Sequence, residues 1–207
     1  MLGYKIINLL DLVEECGEDS AKEILSTFSC PLNQDVENFL KSKAITFARQ
    51  GWSQTHLVFT SYKNSPVLVG YFTLASKLIT IRVKNITSSL RRRLNKFATY
   101  NDDIKGYVLS APLIAQLGKN YTNNYNDLIA GDELLQEACR KIYKIQYDLG
   151  GRFTYLECED KDCLKEFYSR NGFCIFDRRN LDKDETDCLQ GEYLLQLLKY
   201  IHKEDMN

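Results

Sequence analysis

The sequence predicts one domain, residues 1–207, of mixed α and β structure, with a parallel strand pair set among antiparallel strands. Three observations lead there. Residues 107–176 read as strand, loop, helix, strand, helix, strand, and two strands joined through a helix form a parallel pair with the crossover on one face. Residues 57–62 and 67–76 read as two strands around Lys63-Asn64-Ser65-Pro66, which has the composition of a turn, so this hairpin joins the sheet antiparallel. The chain is 44% apolar over 207 residues, enough for a real core, and three prolines and eleven glycines leave little room for a linker.

Each element has its own signal. Residues 4–9 form a first strand, and 10–16 and 20–28 short helices, with Ser20 as N-cap of the second. A helix starts after Asn33 and turns Val36, Phe39 and Leu40 inward. In the strand 67–76, Tyr71 and Phe72 point to opposite faces, so one belongs to the core and the other is free to touch a substrate. Residues 79–83 continue as a strand, and 88–98 as a helix capped by Ser88 or Ser89, before a loop at 101–105. That helix carries Arg91-Arg92-Arg93 and Lys96; with Arg82 and Lys84 they make the chain's one basic cluster. Such a cluster is a contact for phosphates, of RNA for example, or a solvated helix face.

The central stretch is the most informative. The apolar run 112–117 is a buried strand, and 118–127 a long polar loop. Gly131 opens a helix whose Leu134, Leu135, Ala138, Ile142, Ile145 and Leu149 recur at spacings of three and four, and Gly150-Gly151 stops it. Residues 153–158 and 172–176 are strands. The charged stretch 177–187 reads as an exposed loop or hairpin turn, and periodicity does not decide between strand and helix for 190–201. A helix N-terminus offers free N–H groups and a partial positive charge, which suit a pyrophosphate. Asp132 and Glu133 in the first turn favour the same dipole and oppose a phosphate there, unless their side chains point outward.

Composition narrows the classes. The net charge of −1 gives no global basic field for nucleic acid. No basic-then-apolar leader and no apolar run of membrane-spanning length is visible. Seven cysteines (16, 30, 139, 158, 163, 174 and 188) include no CxxC pair and read as reduced thiols of a cytoplasmic protein. Cys158 and Cys163 lie far in sequence from His56 and His202, so no metal site is expected.

Two segments resemble the GNAT N-acetyltransferases. Phe167-Tyr168-Ser169-Arg170-Asn171-Gly172-Phe173 matches the family's Phe/Leu-Tyr-x-x-x-Gly-Phe. Asn126-Asp127-Leu128-Ile129-Ala130-Gly131 stands where the family has Gln/Arg-x-x-Gly-x-Gly/Ala, and of that pattern only the small pair Ala130-Gly131 is kept. The resemblance implies a mixed, mostly antiparallel sheet whose central parallel pair splays apart, with helices on both faces. It implies acetyl-CoA as co-substrate, its diphosphate held by backbone amides from Asn126 to Asp132. Leu117 and Lys119 then meet the pantetheine through main-chain groups, with the Leu117 N–H donating to the thioester oxygen. Lys161 stands where the family often has an Asn that contacts pantetheine. Tyr168 is carried over as general acid, a phenol able to protonate a leaving thiolate. The arginine cluster gains a further reading, as a site for the 3′-phosphate of CoA.

Two shorter segments, Phe28-Ser29-Cys30…Leu32…Phe39-Leu40…Ala44 and Val69–Ser76, are similar to the tRNA-acetylating toxin branch of these proteins. The segment around Tyr71 commonly lines the acceptor side there. Glu157 and Glu159, on one face at a strand end, are candidates to take the amine proton, and ordered water is the alternative. The expected function is acetyl transfer from acetyl-CoA to a primary amine, small or macromolecular. Within it stands a toxin that acetylates aminoacyl-tRNA and pairs with an antitoxin. Two other classes remain open: a GNAT scaffold that binds CoA without turnover, and an α/β interaction protein with no CoA site.

Overall fold

The structure, a computed structural model, describes residues 3–182 and 191–203. They fall into two compact units, one of residues 1–75 and 114–138, the other of 76–113 and 139–207. The fold is mixed α/β with a mostly antiparallel open sheet, as the sequence predicts.

The first unit begins with β1 (Lys5–Asn8), which leads directly into α1 (Leu9–Cys16). Asn8 Oδ1 caps that helix by accepting the Leu10 N–H at 2.8 Å. Gly17, at φ +85°, ends α1 and starts α2 (Glu18–Ser26). The glycine makes a tight junction, so α2 starts earlier than the sequence predicts and Ser20 lies inside it, not at its cap. Asn33 does cap α3 (Gln34–Asn38), which runs through one π turn, Phe39–Lys43, into α4 (Ala44–Arg49). Val36, Phe39 and Leu40 are buried there as expected. Strands β2 (Gln54–Tyr62) and β3 (Ser65–Arg82) pair antiparallel. Their turn is only Lys63-Asn64, both at positive φ, the two-residue geometry that matches strand twist.

Strand β3 is longer than expected. The sequence reading breaks it between 76 and 79, yet exposed Ser76, Lys77 and Leu78 continue the extended backbone. In the second unit, Thr87, not Ser88 or Ser89, caps α5 (Ser88–Leu94) by accepting the Leu90 N–H at 3.3 Å. A short strand, β4 (Thr99–Asn101), pairs with β5 (Gly106–Lys119). The apolar run 112–117 is only the end of β5; its start alternates buried Tyr107, Leu109 and Ala111 with exposed or half-buried residues. Helix α6 (Gly131–Leu149), β6 (Phe153–Cys158), α7 (Asp162–Arg170), β7 (Cys174–Asn180) and β8 (Tyr193–Tyr200) follow.

Strand order is β1-β2-β3-β5 in the first unit and β3-β5-β6-β8-β7 in the second. The pair β5 and β6 is parallel, as a helical crossover requires. Strand β8 settles the open reading of 190–201 and pairs antiparallel with both β6 and β7. The charged stretch 177–187 starts as strand, since β7 reaches Asn180; residues 183–190, with Cys188, and 204–207 lie outside the described residues.

Each unit has its own core. Leu25, Phe28, Val36, Leu40, Leu57 and Tyr71 belong to the first; Ile81, Leu94, Tyr107, Phe153, Phe176 and Leu198 belong to the second. Among the described residues no helix is long and apolar enough to cross a membrane, and no cluster of metal-ligating side chains forms.

Candidate functional site

The first unit contains the segment expected to hold a diphosphate. Strand β5 ends at Lys119, and buried Asn120 then pins the chain. The Asn120 N–H donates to Val69 O at 2.8 Å and its Nδ2 to Leu68 O at 2.9 Å, while its Oδ1 accepts from the Ser29 and Thr122 amides at 3.0 and 3.1 Å. Sequence reasoning missed this residue, because one Asn in a polar loop gives no sign that it will be buried. Residues Thr122–Leu128 wind as 3-10 turns with Asn123 and Asn124 in the left-handed region. Asparagine tolerates that conformation where glycine is absent.

Two side chains shape residues 126–130 from outside the loop. Lys119 Nζ donates to Asn126 O at 2.8 Å and to Ile129 O at 3.0 Å. The Tyr4 hydroxyl reaches Leu128 O at 3.2 Å and Glu133 Oε2 at 2.9 Å. The same carboxylate oxygen accepts the Ala130 N–H at 2.8 Å. Burial, followed by the hydrogen bond to Glu133, pushes the Tyr4 phenol up to about 12. Asn126 Nδ2 donates to Asp127 Oδ1 at 2.8 Å, and Ile129 is buried. Asp132 is half-buried in the first turn.

This geometry corrects one expectation. Glu133 does not point outward: it folds back as the reciprocal half of a capping box. Yet an anionic oxygen on the Ala130 amide is what a diphosphate-binding loop must accommodate. The carboxylate stands in for that anion, so the residues fit the group. Lys119 enters through its side chain, where the sequence reading used only its main chain. Leu117 is half-buried in β5.

Tyr71 is corrected as well. Its side chain is fully buried, its hydroxyl donates to Val36 O at 2.6 Å, and its ring packs edge-on to Phe28 at 5.2 Å. Phe72, on the opposite face, is equally buried. Both faces of β3 are covered at this point, so alternation cannot place either ring against a substrate.

The second unit places Glu157 on β6, Lys161 just before α7 and Tyr168 on α7. Tyr168, half-buried in the last turn of α7, packs edge-on to Phe167 at 4.9 Å and Phe173 at 5.9 Å. The Phe173 N–H donates to Tyr168 O at 3.0 Å, and Gly172 makes the turn at φ +82°. The Gly-Phe pair thus fixes the tyrosine backbone. Burial raises the Tyr168 phenol above its ordinary value, and Cys158 adds to the shift.

Glu157 is already engaged: its carboxylate accepts Arg179 Nε at 2.7 Å and Gln196 Nε2 at 2.8 Å. Both carboxylate oxygens are thus occupied by donors, which argues against Glu157 as base. Lys161 is the N-cap residue of α7, with its Nζ on Glu159 Oε2 at 2.8 Å, so its side chain is turned to the preceding strand end. Of the basic cluster, Arg82 and Lys84 join Asn85, Asp177 and Arg178 around a cavity of about 570 Å³ floored by Ile175, Phe176 and Leu195. Arg93 instead lies over the Tyr200 ring at 4.9 Å.

No family profile matches the sequence, and no curated protein does. Solved structures do match. A bacterial toxin aligns over 97% of this chain and 92% of its own, with a TM-score of 0.63 at 12% identity. AtaT complexed with acetyl-methionyl-tRNAfMet aligns over 93% and 94%, with a TM-score of 0.60 at 13% identity. A tyrosine-to-phenylalanine mutant of the AtaT toxin bound to the C-terminus of the antitoxin AtaR and acetyl-CoA aligns over 96% and 92%, with a TM-score of 0.57 at 13% identity. These likenesses establish a shared fold along nearly the whole of each chain.

Proposed function

We propose that this protein is an N-acetyltransferase that moves the acetyl group of acetyl-CoA to a primary amine, with residues 1–207 acting as one functional domain. The observation that carries the reading is the shared fold with a toxin structure that contains acetyl-CoA, over 96% of this chain. The Glu133 carboxylate on the Ala130 amide supports it independently, because it marks an anion-accepting helix start.

In this reading the thioester supplies an activated acyl carbon, and the chain's residues orient it and manage protons. The Leu117 N–H polarises the carbonyl oxygen. The amine lone pair forms the new C–N bond, the C–S bond breaks, and the sulfur takes a proton from the Tyr168 hydroxyl. The acetylated nitrogen then releases its one excess proton to water, and water returns one proton to the phenolate, so atoms and charge balance. Backbone amides from Asn126 to Asp132 hold the diphosphate. Water serves as the base, since Glu157 is held by Arg179.

For the acceptor we favour the α-amino group of an aminoacyl-tRNA, in a toxin countered by an antitoxin. Two observations support this: the shared fold with AtaT complexed with acetyl-methionyl-tRNAfMet, and the groove where Arg82, Lys84 and Arg178 outnumber the one carboxylate, Asp177, which pairs with Arg82 at 3.7 Å, a balance that suits phosphates. A cytoplasmic location goes with that acceptor and with cysteines that form no disulfide among the described residues.

Thermal shift with acetyl-CoA and CoA tests the first claim. At a ligand excess of about 100 times Kd the folded state gains about 2.7 kcal/mol. No rise in Tm with either ligand would sink the reading. Incubation with [14C]acetyl-CoA and a charged tRNA pool tests the acceptor: label in the tRNA fraction is expected, and label only on small amines would assign a small-molecule substrate.

A further inference from the structure

The loop between β5 and α6 has no glycine from residue 119 to residue 130, although backbone must approach a diphosphate closely there. We propose that the Lys119 ammonium does the work glycines would otherwise do: it is the positioning residue that turns the loop's amides toward the diphosphate. The inference rests on the acetyl-CoA reading above and adds to it a residue and a mechanism.

In a trans peptide the C=O and the N–H of one unit point in opposite directions. Lys119 Nζ draws in the carbonyls of Asn126 and Ile129, at 2.8 and 3.0 Å. The N–H groups of those two units belong to Asp127 and Ala130, and they must face away from the ammonium. For Ala130 the consequence is visible, because its N–H meets an anionic oxygen, that of Glu133, at 2.8 Å. Charge-assisted bonds from one half-buried cation to two carbonyls three residues apart fix both peptide planes at once. A glycine loop reaches such a shape through backbone freedom; this loop reaches it through a cation on the neighbouring strand.

The test compares two ligands that differ in the nucleotide part. CoA carries the diphosphate; pantetheine has the thiol arm alone. Isothermal titration gives Kd for both with wild type, Lys119→Met and Lys119→Arg. We expect wild type to bind CoA far more tightly than pantetheine, Lys119→Met to narrow that preference by about tenfold or more, and Lys119→Arg to restore much of it. Should Lys119→Met not fold, as judged by circular dichroism, Lys119→Gln is measured in its place. Equal weakening of both ligands, or an unchanged preference, overturns the proposal, since generic loosening would not discriminate between them. A wild type that binds neither ligand sinks the acetyl-CoA reading itself, and the two failures are thus told apart.

Discussion

Tyr168 carries the sharpest residue-level expectation. Burial and Cys158 both hold the phenol above its ordinary value of about 10. A raised phenol keeps its proton, so the acid form is present throughout the neutral and mildly alkaline range. Tyr168→Phe should lower kcat by about 100-fold or more and leave the KM for acetyl-CoA within a few fold. It should also leave the pH profile below about pH 9 unchanged in shape, because the phenol does not titrate there. A lost alkaline limb in the mutant would mean that the phenol titrates lower and has another role. Tyr71 teaches the complementary lesson. Alternation shows that it and Phe72 face opposite ways, but whether a strand is covered on one side or both depends on what packs on it, here Phe28 and Val36 from distant sequence.

At the scale of elements, α6 and the end of β5 are the informative pair. Glu133 competes with any phosphate for the Ala130 amide. Glu133→Gln removes the negative charge and keeps a capping acceptor, so it should tighten CoA binding by several fold in titration calorimetry. Weaker binding would show that the carboxylate orders the helix start more than it obstructs it. Gly118 is tightly enclosed: a Cβ there would lie 2.4 Å from Val36 Cγ1 and 3.4 Å from the Phe28 ring. Gly118→Ala should therefore cost about 1–3 kcal/mol, read from the denaturation midpoint.

The helices and most strands were legible because their signals are local: Asn33 as a cap, the three-four spacing from Leu134 to Ile142, the Gly172 turn. The ends of β3 and β5 were not, because a strand extends wherever a partner continues the ladder. The loop's shape was illegible for the same kind of reason. Lys119 and Tyr4 contribute through contacts that no motif spacing encodes, and Tyr4 is more than a hundred residues from the loop it touches. The Gly172-Phe173 turn after α7, by contrast, was readable from its residues.

At the scale of the molecule, each of the two units holds a hydrophobic cluster of its own. Occupancy by acetyl-CoA should raise Tm by about 5–10 °C at 100-fold excess over Kd, given the usual size scaling. Differential scanning fluorimetry reads this directly, and a shift seen with ATP but not with CoA would mean that a nucleotide site of another kind is present. The Lys119 contacts add one further consequence, for chemical labelling. An amine donating to two carbonyls reacts slowly with acylating reagents, whereas Lys77 and Lys84 stand open to them. Brief treatment with a succinimidyl ester, followed by peptide mass spectrometry, should mark those two first and position 119 last, making its delayed modification a clock for how often the β5–α6 connection breathes.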